Sequence, residues 1–266
     1  METITSLQNP KIKRLVRLRE KSSFRKSEGV FIIEGLREII LALQSGYQIE
    51  ELYIWPEVVQ GDVLANISEA VSETKRIETS KNVYQKIAVR ESTEGLLAVA
   101  RPKSHTLSDL KVDKDPLILV VEKVEKPGNL GALFRTADAA AIDAVIICDP
   151  RVDLYSPNVI RAALGCLFTL QVAVAESEEV LQWLEKNAIQ TFAATPDGAV
   201  VYHSVNYTGA SAIVVGSEAD GLSGTWMNKA GTKVLIPMRG GIDSLNVSVS
   251  AAVIVFEAVR QREIAN

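Results

Sequence analysis

The sequence is poor in the side chains that bind metals or form disulfides. It contains two cysteines and two histidines among 266 residues. Cys148 lies in a strand-like run and Cys166 in an apolar helical one, and neither has a histidine at a spacing typical of zinc sites. The sequence therefore predicts no metal site and no disulfide framework. It favours a buried, structural Cys148 over a nucleophilic one.

Long apolar runs are also missing. No segment is apolar over the length of a membrane span, and residues 1–4 do not begin a secretory signal peptide. A content of 47% hydrophobic and 23% charged residues is typical of a globular protein, and the length suits one large domain or two of ordinary size. We therefore expect a cytoplasmic protein without a membrane partner.

The common signatures of nucleotide enzymes and hydrolases are absent as well. No G-x-G-x-x-G follows a predicted strand, and G-x-S-x-G does not occur. Gly216 and Gly221 have the spacing of a P-loop, but Leu222 and Ser223 follow where a lysine would contact the phosphates. A nucleoside triphosphatase, a dinucleotide enzyme and a serine hydrolase are therefore disfavoured.

Basic residues, in contrast, are concentrated near the amino end. Between Pro10 and Lys26 there are eight Lys or Arg residues and one Glu, although the whole chain has a formal net charge of −4. Such a concentration in an acidic protein is typical of a segment that binds nucleic-acid phosphates. A solvated helix face is the alternative interpretation.

The first part of the chain is predicted to form a small α/β unit. After the basic helix we expect strands at 30–33, 51–54 and 96–100, and helices at 35–45 and 63–72. The stretch 101–116 contains two prolines and shows no clear periodicity, so we place a domain boundary there.

Beyond that boundary, apolar strand-like runs alternate with helical patterns. The predicted strands are 117–124, 144–149, 170–175, 191–195, 211–215 and 233–237. The predicted helices are 130–141, 157–164, 178–187, 223–230 and 246–262. Continuous apolar strands that alternate with helices predict a mostly parallel sheet that is covered on both faces.

Three polar, glycine-containing turns in this second part are candidates for a binding site. They span residues 125–131, 216–223 and 238–246, and the last leads into the apolar run 247–259. Ligands of open α/β sheets bind beyond the carboxyl ends of the strands, so these turns predict one composite site. Each turn taken alone is also consistent with an ordinary strand-to-helix connection.

The turn residues resemble the motifs of a known family. The motifs are Asn129-x-Gly131-x-x-x-Arg135, then Gly216-x-Glu218-x-x-Gly221, then Ile236-Pro237-Met238 with Ser244-Leu245-Asn246-Val247-Ser248. In this order they resemble the three motifs of the SpoU/TrmH family of SPOUT RNA methyltransferases. In the N-terminal part, Asn9-Pro10-Lys11-Ile12-Lys13 and Phe31-Ile32-Ile33-Glu34-Gly35-x-Arg37 are similar to the substrate-binding domain attached to many of these enzymes.

The resemblance implies a fold and a reaction. It implies an α/β fold with an RNA substrate-binding domain at 1–105, a linker at 106–115, and a parallel-sheet methyltransferase domain with a deep trefoil knot at 116–266. The implied cofactor is S-adenosylmethionine, and the implied assembly is a homodimer whose active sites use residues of both subunits. The implied reaction is methyl transfer to a ribose 2′-hydroxyl of RNA, with 23S-type ribosomal RNA favoured over transfer RNA by analogy.

The resemblance also implies roles for individual residues. Arg135 is the expected catalytic arginine, and because a guanidinium is a poor general base, we favour a role in binding the adjacent phosphate, with proton removal left open. Asn129, Glu218 and Asn246 complete the expected catalytic set, with Glu218 anchoring Arg135 and Asn246 capping the last helix together with Ser244. The expected cofactor-binding residues are Thr195, Gly216, Ile236, Met238, Ser244 and Leu245. The expected RNA-binding residues are Lys11, Lys13, Arg14, Arg17, Arg25 and Arg37.

Three alternatives stay open at the level of the sequence. The substrate could be transfer RNA, or the protein could be a non-catalytic RNA-binding ribosome-assembly factor of the same fold. The intact polar motif positions argue against the non-catalytic alternative, since a degenerate relative is expected to lose some of them. A small-molecule methyltransferase would leave the basic segment unexplained.

Overall fold

The computed structural model describes residues 2–59, 76–91, 93–197 and 200–265. The chain divides into an N-terminal unit, made of Met1–Lys103 and Asp153–Thr169, and a C-terminal unit, made of Ser104–Val152 and Leu170–Asn266. The helix predicted at 63–72 lies outside the described residues. No helix within the described ranges is long and apolar enough to cross a membrane.

Strands and helices alternate along most of the chain. The strands are β1 Glu2–Ile4, β2 Phe31–Glu34, β3 Ile49–Ile54, β4 Arg76–Thr79, β5 Leu96–Ala100, β6 Leu117–Glu122, β7 Ala144–Cys148, β8 Val172–Ala175, β9 Gln190–Ala194, β10 Val200–Val201, β11 Ser211–Val215 and β12 Thr232–Leu235. The helices are α1 Pro10–Glu20, α2 Ser22–Glu28, α3 Leu36–Gln44, α4 Lys81–Ile87, α5 Pro127–Ala139, α6 Pro157–Ala163, α7 Cys166–Thr169, α8 Ser177–Lys186, α9 Gly224–Lys229 and α10 Val247–Ala265. The sequence did not predict β1, β4, β10, α4 or α7, which are all short, with weak periodicity.

The N-terminal unit has a mixed five-stranded sheet in the order β1-β4-β3-β5-β2. The strand β5 runs antiparallel to both of its neighbours, while β4 runs parallel to β1 and β3. The basic segment forms two helices rather than one, because the backbone is extended at Lys21 (φ −118°, ψ 111°). The apolar stripe of α1, which contains Ile12, Leu15 and Leu18, is buried in the core of this unit, so the basic side chains occupy the remaining faces.

The segment Asp153–Thr169 completes the core of the N-terminal unit. The Tyr155 ring stacks on Phe31 with ring centroids 4.2 Å apart, and the Phe168 centroid lies 5.0 Å from that of Tyr47. Gly165 has a φ of +81°, and a Cβ there would lie 2.8 Å from a methyl carbon of Leu41. The predicted contiguous domain 116–266 thus differs from the observed division, because these aromatic rings pack with residues far away in sequence.

The predicted linker 106–115 is packed rather than free. It contains a 3-10 turn at Leu107–Asp109, whose first turn is closed by a capping box between Thr106 and Asp109. Leu107, Leu110 and Val112 pack against the core of the C-terminal unit. In the observed division this stretch belongs to the C-terminal unit.

The C-terminal unit has a seven-stranded sheet in the order β10-β12-β9-β11-β6-β7-β8. All of its strand pairs are parallel, and every residue of β6, β7 and β11 is buried. Strands buried on both faces explain the continuous apolar runs in the sequence. The predicted α/β class with a parallel sheet is therefore confirmed.

The predicted RNA contact at Arg25 needs correction. Its side chain is only 6% exposed, and its Nη2 lies 2.5 Å from a carboxylate oxygen of Asp153. Nη1 also donates to the carbonyl oxygen of Leu18, 2.6 Å away, near the carboxyl end of α1. A guanidinium with these partners inside the N-terminal unit is a structural group, because an RNA phosphate would have to displace all of them.

We expect Arg25→Ala to lower the free energy of unfolding of the N-terminal unit by about 3 to 5 kcal/mol, since the change leaves Asp153 without its buried partner. Lys13→Ala, at an exposed position of α1, should change it by less than about 0.5 kcal/mol. Urea titration followed by circular dichroism measures both. Equal effects of the two substitutions would contradict the structural role of Arg25.

Candidate functional site

A cavity of about 390 Å³ lies at the carboxyl ends of β9, β11 and β12. Its walls come from three loops: residues 195–197 after β9, the β11 loop (residues 216–223), and the β12 loop (residues 236–246). Parallel strands bring these loops to one edge of the sheet. Two of the three turns of the predicted composite site line the cavity, while the turn 125–131 does not and reaches it through the hydrogen bond from Asn129 to Glu218. All of the residues expected to bind the cofactor line this cavity: Thr195, Gly216, Ile236, Met238, Ser244 and Leu245.

The β11 loop folds back on itself immediately after the strand. Ser217 and Gly221 exchange two backbone hydrogen bonds of 3.1 Å each, and the Ser217 hydroxyl accepts the N–H of Asp220. A Cβ on Gly216 would lie 2.3 Å from the carbonyl of Gly221 and 2.5 Å from the nitrogen of Leu222. Only glycine therefore allows the two arms of the loop to approach this closely.

The cavity combines an apolar part with a negative charge. Its lining includes the apolar side chains of Val215, Leu222, Val234, Val247 and Ile254. Four carboxylic acids also line it, namely Asp197, Glu218, Asp220 and Asp243, whereas the described lining includes no Lys, Arg or His. This arrangement suits a ligand with an apolar part and a positive charge, because the carboxylates attract a cation and the apolar side chains bury apolar surface.

Three of the four residues expected to be catalytic form one hydrogen-bond chain. Ser248 donates its N–H to Oδ1 of Asn246 (3.0 Å), and Asn246 donates from Nδ2 to Oδ1 of Asn129 (3.2 Å). Asn129 then donates from Nδ2 to the carboxylate of Glu218, which lines the cavity. All donors point the same way, so the chain fixes the orientation of both amide groups.

The same contacts explain how the last helix begins. Asn246 accepts the N–H of Ser248 and caps the amino end of α10, as the sequence predicted. Ser244 lines the cavity, and no hydrogen bond from its side chain to a described residue caps the helix. The pairing expected between Glu218 and Arg135 is also absent among the described residues, and Glu218 instead accepts a hydrogen bond from Asn129.

Arg135 is separated from this hydrogen-bond chain. It lies on α5 six residues after Asn129, which on an ideal helix is roughly 9 Å along the axis and about a third of a turn around it. Its side chain is exposed, does not line the cavity, and makes no ion pair with a described residue. One copy of the chain thus brings together Asn129, Glu218 and Asn246, but not Arg135.

The basic residues expected to bind RNA differ in their surroundings. Lys13, Arg17 and Arg37 are exposed, and the guanidinium of Arg17 lies 3.8 Å from the centroid of the Phe24 ring. Lys11 forms an exposed ion pair with Glu2, and Arg14 forms one with Glu28 at 2.9 Å. Exposed ion pairs are weak, so a phosphate can compete for Lys11 and Arg14.

A buried carboxylate beside the β11 loop was not among the residues predicted for the site. Glu122, the last residue of β6, has no exposed surface and accepts the N–H of Ser223 at 2.7 Å. The one feature of the sequence that could have indicated this residue is its position, since an acidic residue directly follows the apolar run 117–121.

Both cysteines are buried, and no disulfide bond joins them. Burial raises the pKa of the Cys148 thiol, which agrees with a structural role. Within the described part of the chain, no three His, Cys, Asp or Glu side chains are grouped so that they could hold a metal ion.

We expect Gly216→Ala to open the β11 loop, because the added methyl group would overlap backbone atoms rather than a flexible side chain. Hydrogen exchange of the Ser217 and Gly221 amides should become faster, and the melting temperature should fall. Gly224→Ala is the matched control, since a Cβ there would have only an ordinary contact of 3.8 Å. Unchanged protection of both amides in Gly216→Ala would mean that the loop tolerates a side chain.

Comparisons with known proteins agree with this geometry. Residues 116–256 match the SpoU rRNA Methylase family, and residues 9–98 match the MRM3-like substrate binding domain. The chain is 42% identical to a crystal structure of an RNA 2′-O ribose methyltransferase, with a TM-score of 0.85 and coverage of 98% of this chain and 99% of that one.

Two further proteins show the same similarity over nearly the full length. One is the AdoMet-bound rRNA methyltransferase from Sinorhizobium meliloti, at 29% identity and a TM-score of 0.87 over 97% of both chains. The other is the 23S rRNA (guanosine(2553)-2′-O)-methyltransferase RlmP of Bacillus subtilis (strain 168), 26% identical over 96% of this chain and 98% of the relative. Since the family match covers more than half of the chain and includes the loops that line the cavity, this protein belongs to the SpoU rRNA methylase family.

Proposed function

We propose that this protein transfers the methyl group of S-adenosylmethionine to a ribose 2′-hydroxyl of 23S-type ribosomal RNA. The observation that carries the proposal is that the second and third motif loops line a single cavity at the carboxyl edge of a parallel sheet, and that Asn129 of the first motif donates to Glu218 in the lining. We propose that the protein acts in the cytoplasm. We propose ribosomal RNA as the substrate because relatives such as the B. subtilis enzyme are named as 23S rRNA methyltransferases.

The cavity fits S-adenosylmethionine in size and in charge. Its volume of about 390 Å³ lies within the usual range of roughly 300 to 1,000 Å³ for small-molecule sites. The carboxylates that line it would attract the cofactor's ammonium and sulfonium groups. Backbone groups near Ile236, Met238 and Leu245 would hold the adenine, and Gly216 would allow a close approach of the chain. When bound, the cofactor supplies an electrophilic methyl group.

The residues of this chain would contribute mainly by positioning the RNA sugar. A displacement at carbon requires the ribose oxygen in line with the methyl–sulfur bond, so the orientation of the ribose controls the rate. The hydrogen-bond chain from Ser248 to Glu218 would keep Asn129 and Asn246 fixed beside the cavity. Arg135 would bind the neighbouring phosphate and stabilise negative charge on the ribose oxygen.

We further propose that Arg135 acts at the site of a second copy. In support, Val249 and Phe256 are 48% and 47% exposed on α10 and lie seven residues apart, which places them on one face of the helix. An apolar helix face of this kind is typical of a homodimer interface. Because α5 packs against α10, a dimer formed there would bring Arg135 near the interface.

Three finer parts of the proposal concern the domains and the knot. We propose that residues 1–105 bind the RNA substrate, and that 106–115 connect the domains while packing on the core of the C-terminal unit. We also propose that the methyltransferase domain 116–266, of which Asp153–Thr169 belongs to the N-terminal unit, contains a deep trefoil knot. The place of β12 between β9 and β10, which both come earlier in the chain, supports the knot.

We expect Arg135→Ala to lower the rate of methyl transfer by at least about a hundredfold while S-adenosylmethionine binding is retained, since a charge that stabilises the transition state is lost. Transfer of tritiated methyl groups to 23S rRNA, 16S rRNA and transfer RNA measures activity, and calorimetry measures binding. Mapping of 2′-O-methyl groups identifies the substrate. Unchanged turnover would contradict the role of Arg135, and methylation of transfer RNA alone would contradict the RNA class.

Mixed dimers test whether Arg135 acts across the interface. A dimer of one Arg135→Ala subunit and one Gly216→Val subunit contains one complete site only if the arginine serves the partner's cavity. We therefore expect the mixed dimer to regain activity that neither parent dimer has. An inactive mixed dimer would place Arg135 and the cavity of the same subunit in one site.

The exposed basic residues of the N-terminal unit should carry the salt dependence of RNA binding. Each of Lys13→Glu, Arg17→Glu and Arg37→Glu should weaken RNA binding and flatten the slope of log K against log salt by about 0.7 to 0.9 per lost phosphate contact. Filter binding over a salt series measures the slope. Lys186→Glu, an exposed lysine of the C-terminal unit with the same charge change, is the control. If the three variants had the same slope as the Lys186→Glu control, these residues would be excluded from the RNA interface.

A further inference from the structure

The carboxylate of Glu122 joins strand β6 to the exit of the β11 loop. Glu122 has no exposed surface, and its Oε2 accepts the backbone N–H of Ser223 at 2.7 Å. Its other oxygen accepts the Ser177 hydroxyl at 3.1 Å and lies 3.6 Å from Nζ of Lys123. It is thus a buried acid with few donors, one of which belongs to the loop that lines the cavity.

The entry of the same loop is attached to the neighbouring residue of β6. Val215, the last residue of β11, pairs with Val121 in the parallel ladder. Two consecutive residues of β6 therefore hold the two ends of the loop, Val121 through the sheet and Glu122 through its side chain. Between these ends, the Ser217–Gly221 pair closes the mouth of the loop.

The Ser177 hydroxyl does not replace the loop as the main partner of Glu122. It has a single hydrogen, and its oxygen lies nearer to Oδ2 of Asp149 (2.7 Å) than to Glu122. The backbone N–H of Ser177 also donates to Oδ1 of Asp149 at 3.3 Å. These distances give the Ser177 hydrogen to Asp149, so Glu122 depends on the Ser223 N–H and on Lys123.

We propose that Glu122 is a positioning residue that fixes the β11 loop in the form that binds S-adenosylmethionine. This inference rests on the proposed function, since it assigns that cofactor to the cavity. The loop carries Gly216 and Glu218, which both line the cavity, so a shift of its exit moves two parts of the site together. A buried carboxylate adds little net stability to a sheet end, whereas it fixes a backbone N–H through a strong, directional bond.

A pair of substitutions at Ser223 tests the bond from the donor side. Ser223→Pro deletes the N–H that Glu122 accepts, and the φ of −66° at this position suits proline. Ser223→Ala removes only the hydroxyl and keeps the N–H. We expect the dissociation constant of S-adenosylmethionine, measured by calorimetry, to rise about tenfold or more in Ser223→Pro. In Ser223→Ala it should rise by less than about threefold.

A second pair tests the bond from the acceptor side. Glu122→Leu removes the acceptor, whereas Glu122→Gln keeps one oxygen for the Ser223 N–H, so it should restore most of the affinity. Glu34→Leu is the matched control in the N-terminal unit. Glu34 also ends a strand, is 6% exposed, and accepts the N–H groups of Val89 and Arg90 at 2.8 and 2.9 Å. Glu34→Leu should lower the melting temperature without changing the affinity for S-adenosylmethionine.

Hydrogen exchange of the peptide 216–222 in the protein without ligand separates this inference from the proposed function. Faster exchange in Ser223→Pro and Glu122→Leu, but not in Glu34→Leu, supports the anchoring role. Normal exchange and normal affinity in Ser223→Pro would overturn the proposal, as would an equal loss of affinity in Glu34→Leu. If the wild-type protein bound no S-adenosylmethionine, the proposed function would be overturned. Hydrogen exchange of the peptide 216–222 in the variants would then still show whether Glu122 anchors the loop.

Discussion

Parallel pairing of the central strands determines where the site can form. The strand β11 pairs with β6 on one side and with β9 on the other, and β9 pairs with β12. Because all of these strands run in the same direction, their following loops leave the sheet at the same edge. The cavity, its glycine-rich wall and the beginning of α10 are all consequences of this one geometric constraint.

Hydrogen bonds link several polar groups at that edge to one another. One set is the hydrogen-bond chain of two asparagines that ends on Glu218, and another is the buried acid Glu122 with its donors. An isolated buried charge is costly, and directional hydrogen bonds to it favour one arrangement of the backbone. The two networks attach the β11 loop at different points, Glu218 near its tip and Ser223 at its exit.

The proposed role of Arg135 would make the active site depend on dimer formation. A single chain places the cavity and three polar motif residues together, while the arginine of the same motif is exposed on another side of α5. An exposed apolar face on the last helix gives a physical reason for two copies to associate. In this proposal, dimer formation completes the active site, so the catalytic group is separated from the cofactor site until the dimer forms.

The sequence by itself determined most strands and helices of the second half, the parallel sheet and the loops that form the site, because long apolar runs and glycine-rich turns are local signals. Strand limits were predicted to within about two residues, and the residues predicted to bind the cofactor line one cavity. Only the tertiary structure decided the packing of Asp153–Thr169 in the N-terminal unit, the burial of Arg25 and the bond between Glu122 and Ser223. These contacts join residues 100 or more positions apart, and no local periodicity encodes which distant partner a charged or aromatic side chain will meet.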